Sequence, residues 1–191
     1  QFEIIDAAIQ TVAEEGLQRT TTAAIAAKAG VGEGTLYRYF TNKDELFAHA
    51  AARAEQVISE GLLENYDPGY PVYTQYVRLC NDFLICGLDN PAPHQFLEQF
   101  RNSPQGEAFR KQTHKGSPEG ISSVPPVYPL NEILNEARRQ EIVKNYPLLV
   151  LSSLTMGPLI FILKDALHGF LKLDSTVMSG VSKACWDSIR R

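Results

Sequence analysis

One short segment of this chain concentrates side chains that can bind nucleic acid. Residues 34–39 read Gly-Thr-Leu-Tyr-Arg-Tyr, which places three hydroxyls, one guanidinium and one glycine close together. Hydroxyl and guanidinium groups bind phosphate oxygens and base edges, and a glycine lets a helix backbone approach the bases. A helix that carries this set on its exposed face suits the DNA major groove.

The apolar residues within this segment predict which side of the helix faces the protein. Leu36 and Phe40 lie four positions apart, so they share one face of a helix and would pack it on a core. Because each residue advances a helix by about 100°, Gly34 and Arg38 then lie nearly opposite. The residues that bear hydroxyls fall on the flanks.

Turn and cap residues predict the elements that hold this helix. Gly30 suits a tight turn because it adopts positive φ without steric cost. Thr22 is the predicted N-cap of the helix before the turn, and the helix after it should run from Gly32 through Tyr39. Asn42 and Glu45 have the spacing of a capping box, which predicts the start of the next helix.

The run A-G-V-x-x-G-T-L-Y-x-Y-F-x-x-K-x-E-L, from Ala29 to Leu46, resembles the DNA-binding domain of TetR/AcrR-type transcriptional regulators. The resemblance covers about the first fifty residues, with Ile4 to Gly16 as the leading helix. Apolar residues recur at helical spacing along nearly the whole chain, and strand-like alternation of useful length is lacking. We therefore expect an all-α fold of about nine helices.

The resemblance also implies a domain organisation and a function. Residues 1–50 would form a three-helix helix-turn-helix DNA-binding domain, and residues 51–191 a helical ligand-binding and dimerisation domain. The chain would be a ligand-responsive transcriptional regulator, expected to be a repressor, which binds a palindromic DNA operator as a homodimer. A small apolar effector would release it.

The predicted DNA contacts lie on and around the second short helix. Tyr37 could lay its ring on a thymine methyl group or reach a phosphate, while Thr35 and Tyr39 could donate to phosphates, as their counterparts do in the resembled family. Lys43 adds a cation to free backbone N–H groups and would clamp a phosphate. The full set is Thr22, Gly32, Glu33, Gly34, Thr35, Tyr37, Arg38, Tyr39 and Lys43.

Three of these residues keep a second interpretation. Glu33 could accept from cytosine N4, or it could be a solvated acid favoured by the helix macrodipole. Tyr39 could be a core aromatic residue, and Lys43 a solvated charge.

The resemblance implies an effector pocket and a dimer interface in the larger domain. Candidate pocket residues are mostly aromatic: Cys80, Phe83, His94, Phe96, Gln99, Phe100, Phe109, Tyr128 and Met156. Candidate interface residues form apolar stripes on the last two helices: Leu151, Leu154, Leu159, Ile162, Val177, Met178, Val181, Cys185 and Ile189. Ordinary core packing is the alternative for both sets.

Composition argues against other classes of protein. The three cysteines include no C-x-x-C pair, and none of the four histidines lies in H-E-x-x-H or E-x-x-H spacing. We therefore expect no disulfide framework, no metal, no cofactor and no enzyme, and a reducing cytoplasm as the location. Residues 146–163 are apolar but interrupted by prolines and polar residues, so we expect a buried helix and no membrane partner.

Charge is the one feature that disagrees with DNA binding. The chain has a net charge of −4, and its first fifty residues carry four basic against seven acidic side chains. A DNA-binding domain usually shows a basic footprint. An all-helical interaction module without DNA binding is therefore the first alternative function, and an enzyme built on a helical bundle is the second. Because the chain opens at Gln1, we also expect it to lack some leading residues, which could be basic.

Overall fold

The computed structural model describes residues 1–113 and 128–191. These two ranges form ten helices: α1 (Phe2–Glu15), α2 (Thr22–Lys28), α3 (Glu33–Tyr39), α4 (Lys43–Leu63), α5 (Val72–Asp89), α6 (Pro91–Arg101), α7 (Pro104–Thr113), α8 (Tyr128–Arg139), α9 (Leu148–Leu167) and α10 (Ser175–Ile189). Within them, extended pairing is limited to an isolated antiparallel bridge between Val143 and Arg190. The predicted all-α fold is confirmed, with one helix more than expected.

The described residues divide into two compact units. The first consists of Gln1–Val57 and the segment that begins at Ala92 and contains α6 and α7. The second consists of Ile58–Pro91 and the chain from α8 to Arg191. The predicted boundary near residue 50 separates two functions, DNA binding and ligand binding. The division into compact units does not test it, so it remains a prediction.

Side-chain caps fix two helix starts in the first unit. Thr21, in an extended conformation, accepts a hydrogen bond from the Ala24 backbone N–H at 3.1 Å. The prediction that Thr22 caps α2 is therefore wrong by one residue, because Thr22 already lies within the helix. At α4 the Asn42 Oδ1 accepts from the Glu45 N–H at 2.8 Å, as the capping box predicts.

The core of the first unit combines aliphatic and aromatic side chains. Leu36 and Phe40 are fully buried, which confirms the predicted inward face of α3. The ring of Phe96 stacks on that of Phe100 and meets Phe47 edge-on. The turn before α7 is tight, because Ser103 Oγ donates to the Phe100 carbonyl at 2.6 Å.

The second unit packs α5, α8, α9 and α10 around buried aromatic residues. Trp186 of α10 lies with its ring centroid 5.0 Å from that of Tyr76 and 5.5 Å from that of Tyr73. Burial raises the pKa of Tyr76 and raises the pKa of Cys80 to about 12. The Cys80 thiol is therefore kept neutral, and this cluster serves packing.

Helix α9 is long and apolar enough to cross a membrane, judged by length and composition alone. Its inner residues, including Leu151 and Leu159, are fully buried and pack in the second unit against α5, α8 and α10. The sequence predicts a buried helix here, but only 28% of the apolar stretch of α9 is buried, so the predicted extent of burial is wrong. An apolar outer face therefore remains.

Gly106, in the first turn of α7, should tolerate no side chain. A Cβ there would overlap the backbone carbonyl of Phe100, so Gly106→Ala should lower the free energy of unfolding by roughly 2–3 kcal/mol in urea titrations. Gly180, within α10, has open space around it, and Gly180→Ala should raise that free energy by roughly 0.5–1 kcal/mol. Equal effects of the two changes would contradict the close packing at Gly106.

Candidate nucleic-acid interface

The turn between α2 and α3 has the geometry that Gly30 permits. Gly30 adopts a φ of 69°, and its N–H donates to the Ala27 carbonyl at 3.1 Å. The Val31 N–H donates to the Ala26 carbonyl at 3.0 Å. These two bonds form a Schellman motif, in which a left-handed residue ends a helix. The prediction for Gly30 is confirmed.

Helix α3 presents the predicted set of polar residues to solvent. It spans Glu33–Tyr39, one residue shorter than predicted at its start, because Gly32 is its N-cap residue. Tyr37 is 52% exposed and Tyr39 49% exposed, so the core interpretation of Tyr39 is wrong. Thr35 is half-buried, whereas the remaining residues of this face, namely Gly32, Glu33, Gly34 and Arg38, are exposed.

Three side chains on this face are joined by hydrogen bonds. The Thr22 hydroxyl, at the start of α2, donates to Glu33 Oε1 at 2.5 Å. The same Thr22 oxygen lies 3.3 Å from the Tyr37 hydroxyl. Thr22, Glu33 and Tyr37, which we call the Glu33 network, therefore link the start of α2 to the exposed face of α3. All three residues were predicted from the sequence as DNA contacts, but the sequence did not indicate that they bond to one another.

Lys43, the first residue of α4, is held in place on the protein. Its ammonium group donates to the Thr20 carbonyl and lies 5.1 Å from the ring centroid of Phe47. The side chain is half-buried, so Lys43 is not a fully solvated charge, and its contact with phosphate stays a prediction. An ammonium group has three N–H donors, and the bond to Thr20 uses one of them.

Two of the four acids of the leading helix have basic partners within the first unit. Glu14 pairs with Lys28 at 2.7 Å, and Asp6 lies 3.6 Å from Arg53. Both pairs are exposed enough for solvent to screen them, so each contributes little to stability. Arg53 lies outside the first fifty residues, so its pair with Asp6 offsets one charge of their acidic excess.

The candidate pocket residues fall in both units. Cys80, Phe83 and Met156 belong to the second unit. His94, Phe96, Gln99, Phe100 and Phe109 belong to the first. Tyr128 begins α8, but its side chain lies outside the described residues.

Two polar residues of the pocket set, Gln99 and His94, have surroundings in the first unit that suit a structural role. The Gln99 Oε1 accepts from the Leu17 N–H at 2.8 Å, and its amide nitrogen donates to the Val12 carbonyl at 3.3 Å. Gln99 therefore satisfies backbone groups at the end of α1. Burial, and then the charge of Arg101, lowers the pKa of His94 to about 4, so this imidazole is neutral at pH 7.

The candidate interface residues separate into a buried and an open group. Leu151, Leu159, Cys185 and Ile189 are buried within the second unit, where they act as core. The others are half-buried or more exposed: Leu154, Ile162, Val177, Met178 and Val181. Sequence reasoning missed exposed apolar residues of α9, among them Val150, Ile160 and Phe161. The spacing from Val150 through Leu154 to Phe161 was the available signal, but a core stripe has the same spacing.

Comparison with known proteins identifies the family. Residues 4–50 match the family model described as bacterial regulatory proteins, tetR family. Residues 71–190 match the model described as the C-terminal domain of tetracycline-repressor-like proteins. The chain belongs to the TetR family. As a member, it is a DNA-binding transcriptional regulator and not an enzyme, which confirms the family resemblance read from the motif around α3.

Individual relatives agree with this assignment. An uncharacterised HTH-type transcriptional regulator from Haemophilus influenzae is 30% identical over 102 residues, which are 53% of this chain and 54% of that protein. The chain thus matches about half the length of this curated relative.

Solved structures of TetR-family regulators share the fold. One from Marinobacter aquaeolei has a TM-score of 0.82 at 18% identity and covers 99% of this chain and 94% of its own. Another, from Haemophilus influenzae, has a TM-score of 0.80 at 23% identity, with 100% and 96% covered.

Gly34 offers a test of how closely the α3 backbone meets DNA. A Cβ at Gly34 would contact nothing within the protein, so Gly34→Ala should leave the free energy of unfolding unchanged or slightly higher. If α3 lies in the major groove, the added methyl group should lower DNA affinity by roughly tenfold in binding titrations. Gly180→Ala, in α10, serves as the matched control. If Gly34→Ala binds DNA with unchanged affinity, this face of α3 does not approach the bases.

Proposed function

We propose that this chain represses transcription as a homodimer that binds a palindromic operator, with one α3 in the major groove at each half-site. The observation that carries this proposal is the exposed polar face of α3, held outward by the buried Leu36 and Phe40. Hydroxyls, a guanidinium and a glycine lie on that face, and all of them suit contact with phosphates and base edges. The cytoplasm, where DNA is accessible, is the proposed location.

A dimer is required because one α3 reads too little sequence. The helix has seven residues, which at about 1.5 Å per residue span only a few base pairs. Two copies related by a two-fold axis would contact half-sites one helical turn apart, and a palindromic operator mirrors that symmetry.

The outer face of α9 supports a dimer interface on the second unit. Phe161 is 62% exposed, and Val150 and Leu154 are also exposed on the same helix. Exposed apolar residues in such a row mark surfaces that another protein covers. On α10, the half-buried Val177, Met178 and Val181 extend the proposed surface.

The proposed signal is a small apolar effector that binds the ligand-binding domain. It would favour a conformation in which the two copies of α3 no longer match successive grooves, which is a shift between two populations. An effector acts in this way only if it binds the released conformation more tightly than the DNA-bound one.

The competing function is a helical interaction module without DNA binding, which the acidic excess of the first fifty residues favours. Selection of bound sequences from a random duplex pool separates the two functions. A repressor should enrich a palindrome with a half-site spacing near one helical turn, and its affinity should fall as salt rises. An interaction module should enrich no sequence.

Lys43 should contribute to affinity without contributing to sequence preference. We expect Lys43→Ala to weaken binding to every duplex by a similar factor and to flatten the plot of log affinity against log salt by roughly one unit. Lys28→Ala is the matched control, because the Lys28 ammonium already pairs with Glu14 at 2.7 Å. If both variants keep the wild-type slope, Lys43 does not contact phosphate.

Phe161 should stabilise the dimer. Placing a charge on the proposed interface leaves it unpaired and desolvated, so we expect Phe161→Glu to weaken the dimer by at least roughly a hundredfold in sedimentation equilibrium. Phe2→Glu makes the same change at another exposed phenylalanine, in α1, and should leave the dimer intact. A monomeric wild type, or an unchanged Phe161→Glu dimer, would contradict the proposed interface.

A further inference from the structure

We propose that Glu33 selects a cytosine in each operator half-site by accepting a hydrogen bond from its N4 amino group, and that Thr22 and Tyr37 hold the carboxylate for this contact. The inference rests on the proposed function, since it needs α3 in the major groove. It assigns Glu33, the one acid of α3, to sequence selection and not to affinity.

The hydrogen atoms of the Glu33 network have only one consistent arrangement. An ionised carboxylate only accepts hydrogen bonds, so the single hydroxyl hydrogen of Thr22 must point to Glu33 Oε1, 2.5 Å away. The Thr22 oxygen can then only accept from Tyr37, at 3.3 Å. The hydrogen of Tyr37 is therefore directed to Thr22, and that of Thr22 to Glu33.

This arrangement leaves acceptors on the outside of the network. Both hydroxyl hydrogens are used within it, and among the residues that the structure describes, Glu33 Oε2 has no hydrogen-bond partner. An acceptor surface repels phosphate oxygens and requires a donor on the DNA. A hydrogen bond from the Thr22 hydroxyl to a phosphate would break its bond to Glu33, so the network favours a role for Thr22 in holding the carboxylate.

Two base edges offer donors in the major groove, and one of them fits better. Cytosine presents the N4 amino group, whereas adenine presents the N6 amino group with the acceptor N7 beside it. Adenine N7 would face the remaining acceptors of the network, and cytosine has no such acceptor on its own edge. Thymine O4 and the O6 and N7 atoms of guanine are acceptors and would be repelled.

The test compares sequence preferences of four full-length proteins: wild type, Glu33→Gln, Thr22→Val and Glu3→Gln. Each is used to select duplexes from a random pool, and each is then titrated, at one salt concentration, with the wild-type duplex and with its cytosine replaced by thymine. Glu3→Gln removes the same charge from an exposed position in α1. Urea titrations confirm that each variant is folded.

We expect the wild type to bind the cytosine duplex on the order of tenfold more tightly than the thymine duplex. Glu33→Gln should lose or reverse this preference, because its amide can donate to thymine O4, while the rest of the selected motif stays unchanged. Its affinity for random duplexes should rise. Thr22→Val should reduce the cytosine preference severalfold without changing net charge, and Glu3→Gln should retain it.

Several results would overturn the inference. If Glu33→Gln selects the same base as the wild type at every position, Glu33 does not read a base. If Glu33→Gln fails to fold, Thr22→Val decides: a cytosine preference as large as that of the wild type would show that the Glu33 network does not hold the carboxylate for this contact. If Glu3→Gln loses the preference as well, net charge and not the Glu33 contact sets it. A wild-type chain that enriches no motif would instead refute the proposed function, and the base preference would fall with it.

Discussion

Burial of Leu36 and Phe40 is the constraint on which the exposed polar face of α3 depends. Helix α3 has seven residues and lacks a side-chain cap at Gly32, and a helix this short is marginal on its own in water. Packing of these two side chains supplies the missing stability. It also fixes the rotation of α3, because two anchors four positions apart leave only the opposite face for DNA.

The sequence predicted the features that depend on near neighbours. At the end of α2 the Gly30 N–H donates to a carbonyl three residues earlier, and the Val31 N–H to one five residues earlier. Asn42 caps α4 by accepting from Glu45, three residues later. Such signals lie within about five residues of one another. The error at Thr22 has the same local origin, since Thr21 and Thr22 are equivalent as residue types and only the backbone conformation selects Thr21 as the cap.

Features that depend on distant parts of the chain could not be read in the same way. Gln99 binds the backbone of Leu17 across 82 positions, and no spacing rule connects the two. Apolar residues occur on every side of α9, so its composition does not distinguish Leu151, which is buried, from Phe161, which is exposed. That distinction requires the positions of the neighbouring helices α5, α8 and α10.

The acidic excess of the first fifty residues has a physical interpretation once contacts are known. The Lys28–Glu14 pair removes an acid and a cation together from the field that DNA would experience, so the pair alters affinity little. What remains on α3 is Arg38, which attracts phosphate, beside Glu33, which repels it. A face of this kind gains little affinity from charge. Contacts that depend on base identity must therefore supply a larger share of its binding energy, which is how a surface without a basic excess discriminates its operator from other DNA.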